Sequence, residues 1–146
     1  MASQAFWAYG SSFKIGDGAS PEVFTAVAEI KDIAGPNLTR ASIDVTNQDS
    51  IDRWRESIPG LRDGDMVTVQ ANWLPSNATQ DGTTGLFSHY SDDDNHNYQI
   101  VTPADVGITI SFAGHITALP ISLPLESQGT IEFTIKISGV VSIAAS

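Results

Sequence analysis

The chain has 146 residues, no cysteine, and seventeen acidic side chains against seven lysines and arginines, for a formal net charge of −10. That length supports one domain with its own core, and the absence of thiols excludes a disulfide framework, a thiolate zinc site and a cysteine nucleophile. The negative charge argues against a general nucleic-acid binder, which needs a basic patch to displace counterions from phosphates.

Residues 1–11 read as an N-terminal arm. The arm carries aromatic residues but neither a basic segment nor a long apolar one, so a secretory leader is not expected. No apolar run approaches the roughly 20 residues of a membrane helix. Asp17-Gly18, between Phe13-Lys14-Ile15 and Phe24, predicts a hairpin turn. The same GDG lacks the third glycine, the following helix and the lysine of a phosphate loop. Apolar and polar residues then alternate over residues 24–31, 40–46 and 66–73, each run predicting a strand with one face on a core.

Residues 43–61 change character. A strand leads into a polar elbow at 46–50, where Asp49 or Ser50 can cap a helix with Asp52 in its first turn. Ile51, Trp54, Ile58 and Leu61 recur at intervals of three, four and three, which predicts one apolar helix face. Pro59 and Gly60 stop it after about two turns, too short to persist unpacked. Trp54 is therefore expected to anchor this helix in the core or at an interface. Arg53 and Arg55, flanking it, are expected to be solvated, paired with acids, or in contact with another subunit.

Residues 75–103 form a polar region expected to be loop, with a second short helix over 83–90. Two long alternating runs follow, from Ile108 to Ala118 and from Thr130 to Ile143. Gly114 and Gly139 interrupt them as bulges or bends. The connection at 120–129, with Pro124 inside it, predicts that the two runs pair antiparallel.

Candidate chemistry is sparse. Asp92, Asp93, Asp94, Asn95 and His96 are all possible ligands, but a calcium loop alternates ligands with spacers and needs a glycine at its sharp turn. A solvated turn is the simpler reading. His89, His96 and His115 have no zinc-motif spacing, and neither a GxSxG elbow nor an HExxH helix is present. No catalytic residue, cofactor or metal is expected.

The succession of elements resembles the major tail protein, or tail tube protein, of long-tailed bacteriophages. The resemblance rests on the GDGASPEVF hairpin, the AEIKDIAGP strand end, the R-x-x-IDVT-x-x-DS junction, the IPGL-x-DG stop and the C-terminal strand with its KISG. It runs from about residue 12 to 143 and is weakest over 77–98. It implies a mainly β, sandwich- or barrel-like tail tube fold with one or two short helices in a single domain, 1–146. It further implies hexameric rings stacked around a lumen that conducts the genome, no enzymatic activity, and association with tape-measure, terminator and baseplate proteins of a virion assembled in the host cytoplasm. The elbow and its surroundings, Arg40, Asp44, Thr46, Asp49, Ser50, Arg53, Trp54 and Arg55, are the candidate subunit contacts. The alternatives are a β-sandwich module that binds carbohydrate or calcium, and another virion part such as a tail terminator or decoration protein.

Overall fold

Alternation of large apolar residues with polar ones is resolved here as one rolled sheet. A computed structural model describes residues 2–145. Its strands β1 (Ser12–Gly16), β2 (Phe24–Ala26), β3 (Ile30–Ala34), β6 (Met66–Asn72), β7 (His96–Val101), β8 (Ile108–Ala118) and β10 (Thr130–Ile137) follow the order β2-β1-β7-β8-β10-β6-β3. The short β9 (Ile121–Ser122) pairs with β10, and β11 (Ser142–Ala145) pairs with β8. A separate two-stranded sheet is made by β4 (Thr39–Asp44) and β5 (Ser57–Asp63), and one helix, α1, covers Leu86–Ser91. The pairings of β1 with β2 across Asp17-Gly18 and of β8 with β10 are those expected from the sequence.

The core lies inside the roll. Val67, Val69 and Ala71 of β6 point inward with Ile131, Phe133, Ile135 and Ile137 of β10. They meet Phe13, Ile15, Tyr98, Ile100 and Phe112 from the β1, β7 and β8 side. The Phe13 and Phe133 rings meet edge to face at 5.3 Å, and Phe13 also lies 5.7 Å from Tyr98. Such contacts add about 0.5–1.5 kcal/mol each beyond the burial of area.

β8 makes the roll possible by serving both layers. Its residues 109–114 pair with β7, and from Gly114 onward it pairs with β10. Gly114 is buried between the two, where a Cβ would sit 2.3 Å from the Lys136 carbonyl oxygen. No other residue fits there without moving backbone.

Two expectations need correction. The run at 24–31 is not one strand: Glu29 adopts φ 53 and the chain turns between β2 and β3. Val27 is buried, its N–H donating to the Phe13 carbonyl at 2.8 Å. The run at 130–143, by contrast, keeps its direction across the expected interruption at Gly139, φ 93: β10 and then β11 both pair antiparallel with β8, from Ala118 down to Ile108. The polar region at 75–103, expected to be mostly loop, holds the central strand β7, and its helix occupies Leu86–Ser91 rather than 83–90. Even its connecting segment is tied down. Buried Gln80 accepts from the Leu74 N–H at 2.9 Å and donates to the carbonyls of Ala28 and Asn72 at 3.1 and 3.0 Å.

Candidate assembly interface

The helix expected at 51–58 is absent. In its place the chain makes a single 3-10 turn at Ile51–Arg53, with Asp52 and Arg53 at φ 53 and 65, and then returns as β5. The 3-4-3 spacing had no core to pack against, and periodicity alone does not hold so short a helix. Pro59 is compatible with β5 because each strand of a two-stranded ribbon is an edge, with half of its N–H groups directed away from its partner. β4 and β5 pair only with each other, through Arg40 opposite Arg62, Ile43 opposite Ile58 and Asp44 opposite Ser57.

This hairpin stands clear of the core. From residue 39 to 63 every residue is exposed except Ser50 and Gly60, which are half-buried. Ile43, Val45, Ile51, Trp54, Ile58 and Leu61 all face solvent, Trp54 at 75% and Leu61 at 87% exposure. Trp54 is thus not a core anchor. An isolated two-stranded hairpin is marginal in water, and an apolar patch of this kind marks an interaction surface.

All eight candidate contact residues fall on this hairpin. Arg40 lies on its stem, its Nε donating to the Gly60 carbonyl at 3.3 Å. Asp44 and Arg55 form an ion pair at 3.4 Å. Thr46 buckles the two strands together: its Oγ1 accepts from the Glu56 N–H at 2.8 Å and donates to the Glu56 carbonyl at 3.3 Å. Hydrogen bonds from the Thr46 side chain and N–H, then from Arg55, hold the Asp44 carboxyl below its ordinary pKa. Ser50 donates to Glu56 Oε2 at 2.8 Å, and the Asp49 N–H donates to Asn47 Oδ1 at 2.8 Å. Arg53 and Trp54 occupy the exposed tip. The tip is ordered by its own polar side chains, and the apolar ones are left over.

Charge is divided in the same way. The hairpin carries all four arginines of the chain, with five carboxylates, whereas the rest carries three lysines against twelve carboxylates. Leu38, Leu123, Leu125 and Val140, which no periodic pattern singles out, are also exposed. Their signal was available: single apolar residues next to or two away from a proline or glycine, off any strand's inward phase.

A second cluster of titratable groups lies under α1. His89 and His96 stack at 4.0 Å, and His89 Nδ1 is 3.1 Å from the Tyr98 hydroxyl. Asp92 Oδ2 comes within 3.3 Å of His96 Nε2, yet outside hydrogen-bond geometry, so that buried nitrogen makes no hydrogen bond. Among the described residues no group of three or more His, Asp or Glu side chains is arranged to hold a metal ion, and Asp92 to Asp94 form the turn after α1.

Burial, reinforced by the neighbouring His96, lowers the His89 pKa from 6.5 to about 4. Burial also raises that of Tyr98, which keeps its hydroxyl protonated beside the neutral ring. Below pH 6.5 the unfolded chain therefore binds a proton that the folded chain refuses. Stability should fall by about 2–3 kcal/mol between pH 6.5 and 4. A urea titration across that range should show the loss, and His89→Gln should flatten it. Carboxylates with lowered pKa, such as Asp17, act in a separate window below about 3.8.

The comparisons with known proteins agree with this architecture. The family model of the lambda phage tail tube protein, TTP, matches residues 7–144. No curated relative matches the chain. Similar solved structures include the tail of an empty GTA particle, refined with C6 symmetry, at TM-score 0.75 and 18% identity over 97% of this chain and 100% of the other. The sheath-tube complex of an extracellular contractile injection system, PVC, matches at TM-score 0.70 and 16% identity over 98% and 93%. The SPP1 tail tube matches at TM-score 0.67 and 11% identity over 93% and 77%. At these identities the structures establish the fold, which is mainly β as the sequence predicts. The family match covers nearly the whole chain, and the chain belongs to the lambda phage tail tube protein family.

Proposed function

We propose that this tail tube protein assembles through the β4–β5 hairpin into stacked rings of six around a lumen that conducts the genome. One observation carries the reading: an ordered hairpin exposes its apolar side chains and all the arginines of an otherwise acidic chain. A second copy is the partner that every subunit of a tube has on each side. The six-fold count is supported by the symmetry of the similar GTA tail. Arg40, Asp44, Thr46, Asp49, Ser50, Arg53, Trp54 and Arg55 are the proposed contact set, and residues 1–146 act as one domain.

The protein does no chemistry in this reading, and it binds no cofactor. Its other partners are the tape-measure, terminator and baseplate proteins of the virion, which is assembled in the host cytoplasm. DNA passes through without being held. The excess of carboxylates outside the hairpin suits that passage, since a negative wall repels phosphates across a screening length of about 8 Å. Negative-stain microscopy of purified protein, alone and co-expressed with tail initiators, should show rings and tubes. Persistent monomers under all these conditions would sink the proposal. An assembled map with a neutral or basic lumen would remove the electrostatic part of it.

Trp54→Ala tests the contact set directly. Its side chain supports nothing within the subunit, so the melting temperature of the dissociated protein should stay within about 2 °C. Tube formation should need about tenfold more protein or more, because an exposed tryptophan buried at a contact is a typical hot spot. Sedimentation across a concentration series reads both.

A further inference from the structure

We propose that the loop at residues 123–129 of one subunit is a knob that seats in the depression at the root of the β4–β5 hairpin of a second copy. This rests on the tube reading above and names the surfaces that would meet.

The depression has a volume of about 530 Å³ and is bounded by Leu38, Arg40, Arg62, Gly64 and Val140. Its apolar wall is open, with Val140 84% exposed and Leu38 more than half exposed. Arg40 and Arg62 stand directly opposite each other in the ladder, and like charges in that position repel. Among the described residues no carboxylate pairs with either. Arg40 reaches only a carbonyl, and among the described residues Arg62 has no ion pair or side-chain hydrogen bond. The adjacent carboxylate, Asp63, is held by Lys136 Nζ at 3.2 Å. What the site lacks is a free carboxylate flanked by an apolar group, since Asp63, which also lines it, is engaged by Lys136.

The loop presents that combination. Leu125 is 99% exposed, and Leu123 is largely so. Pro124 between them limits the conformations that docking would have to freeze out. Glu126 is exposed and makes no hydrogen bond or ion pair among the described residues. Leu125 would fill the space between Leu38 and Val140, and Glu126 would lie between two guanidinium groups suited to carboxylates.

Placement makes the contact intermolecular. The loop enters β10 at Thr130, opposite Asn72, and the Trp73 N–H donates to the Gly129 carbonyl at 2.9 Å. The depression lies at the other end of the same strand pair, where Gly64 packs against Ile137 and Val141. Knob and hole are separated by the length of the eight-residue β10, roughly 25 Å. A subunit cannot fill its own hole, and a contact between opposite ends is heterologous, repeating head to tail without limit. That is the contact a stack of rings requires.

The cysteine-free chain provides a clean test. Leu125→Cys and Val140→Cys combined in one chain should give, after oxidation of assembled tubes, a ladder of disulfide-linked multimers on a denaturing gel. Val140→Cys combined with Trp7→Cys or with Ile51→Cys should give none. A ladder from either of those pairs, and none from the first, would assign the depression to the N-terminal arm or the hairpin tip and overturn the proposal. As a second arm, Glu126→Arg and Arg62→Glu should each lower tube yield about tenfold or more at fixed concentration. Both variants should keep the monomer's melting temperature, and combining them should recover most of the yield. Unaffected single variants, or a combined variant with no recovery, would overturn the docking while wild-type tubes leave the tube reading intact. Absence of tubes from the wild-type chain would remove both.

Discussion

Excising residues 41–61 and joining Arg40 to Arg62 through Asn-Gly is expected to give a folded, soluble subunit that builds no tubes. The junction is geometrically permissible because Arg40 and Arg62 are ladder partners, and a two-residue Asn-Gly loop closes such a pair with the twist of its strands. Nothing in the core depends on the missing part. β4 and β5 pair with no other strand, and none of the core residues lies within 41–61. The melting temperature should therefore stay within about 4 °C of the parent, the shift that 1 kcal/mol produces at this size. Assembly should respond very differently. Ile43, Val45, Ile51, Trp54, Ile58 and Leu61 leave together, each worth about 1.5–3 kcal/mol where a neighbour buries it fully. Losing even two of them would raise the concentration needed for tubes by more than about a hundredfold. Sedimentation and negative-stain microscopy at matched concentrations read the outcome. Tubes of normal yield would show that the contacts lie elsewhere on the subunit.

The strands that enclose the core were legible because Val, Ile and Phe alternate with polar residues wherever one face is buried. β6 and β10 follow that rule from end to end. The rule failed where burial is not supplied by the same chain. Ile51, Trp54, Ile58 and Leu61 share no strand face and cover no core, so their spacing imitated a helix that nothing would have held. β7 failed for the opposite reason. Asn97 and Gln99 gave it a polar composition, although Tyr98 and Ile100 between them carry the inward alternation.

The candidate contact residues were chosen for a reason unrelated to the predicted helix. Arginines are scarce in this chain, and their grouping around a polar elbow survives any error in secondary structure. What stayed hidden was the proposed docking pair. Leu125 and Val140 are single apolar residues in turns, and only three-dimensional exposure distinguishes an unpaired leucine from one under a strand.

The largest effect on the subunit itself should come from Gly114→Val. At Gly114 the obstacle is space rather than backbone conformation. A Cβ would stand 2.3 Å from the Lys136 carbonyl oxygen and 3.1 Å from Ile135 Cγ2, and the first of these is backbone that can move only by breaking the ladder. Gly114 is paired on one side to His96 and on the other to Ile137, so a displacement there pulls β7 and β10 apart at once. The cost should be about 3 kcal/mol or more, a large share of the 5–15 kcal/mol that holds a domain folded. The melting temperature should drop by about 10 °C, with a matching loss of soluble yield. Two other glycines calibrate the result. Gly139→Ala meets no atom within 4 Å but must adopt φ 93, an alanine penalty of about 1–2 kcal/mol. Gly82→Ala has neither a close neighbour nor a positive φ and should leave the melting temperature unchanged. Thermal melts of the dissociated proteins should therefore rank the losses as Gly114, then Gly139, then Gly82. If Gly114→Val melts with Gly82→Ala, β8 does not turn the sheet at Gly114, and the two layers around Phe13 and Phe133 are joined in some other way.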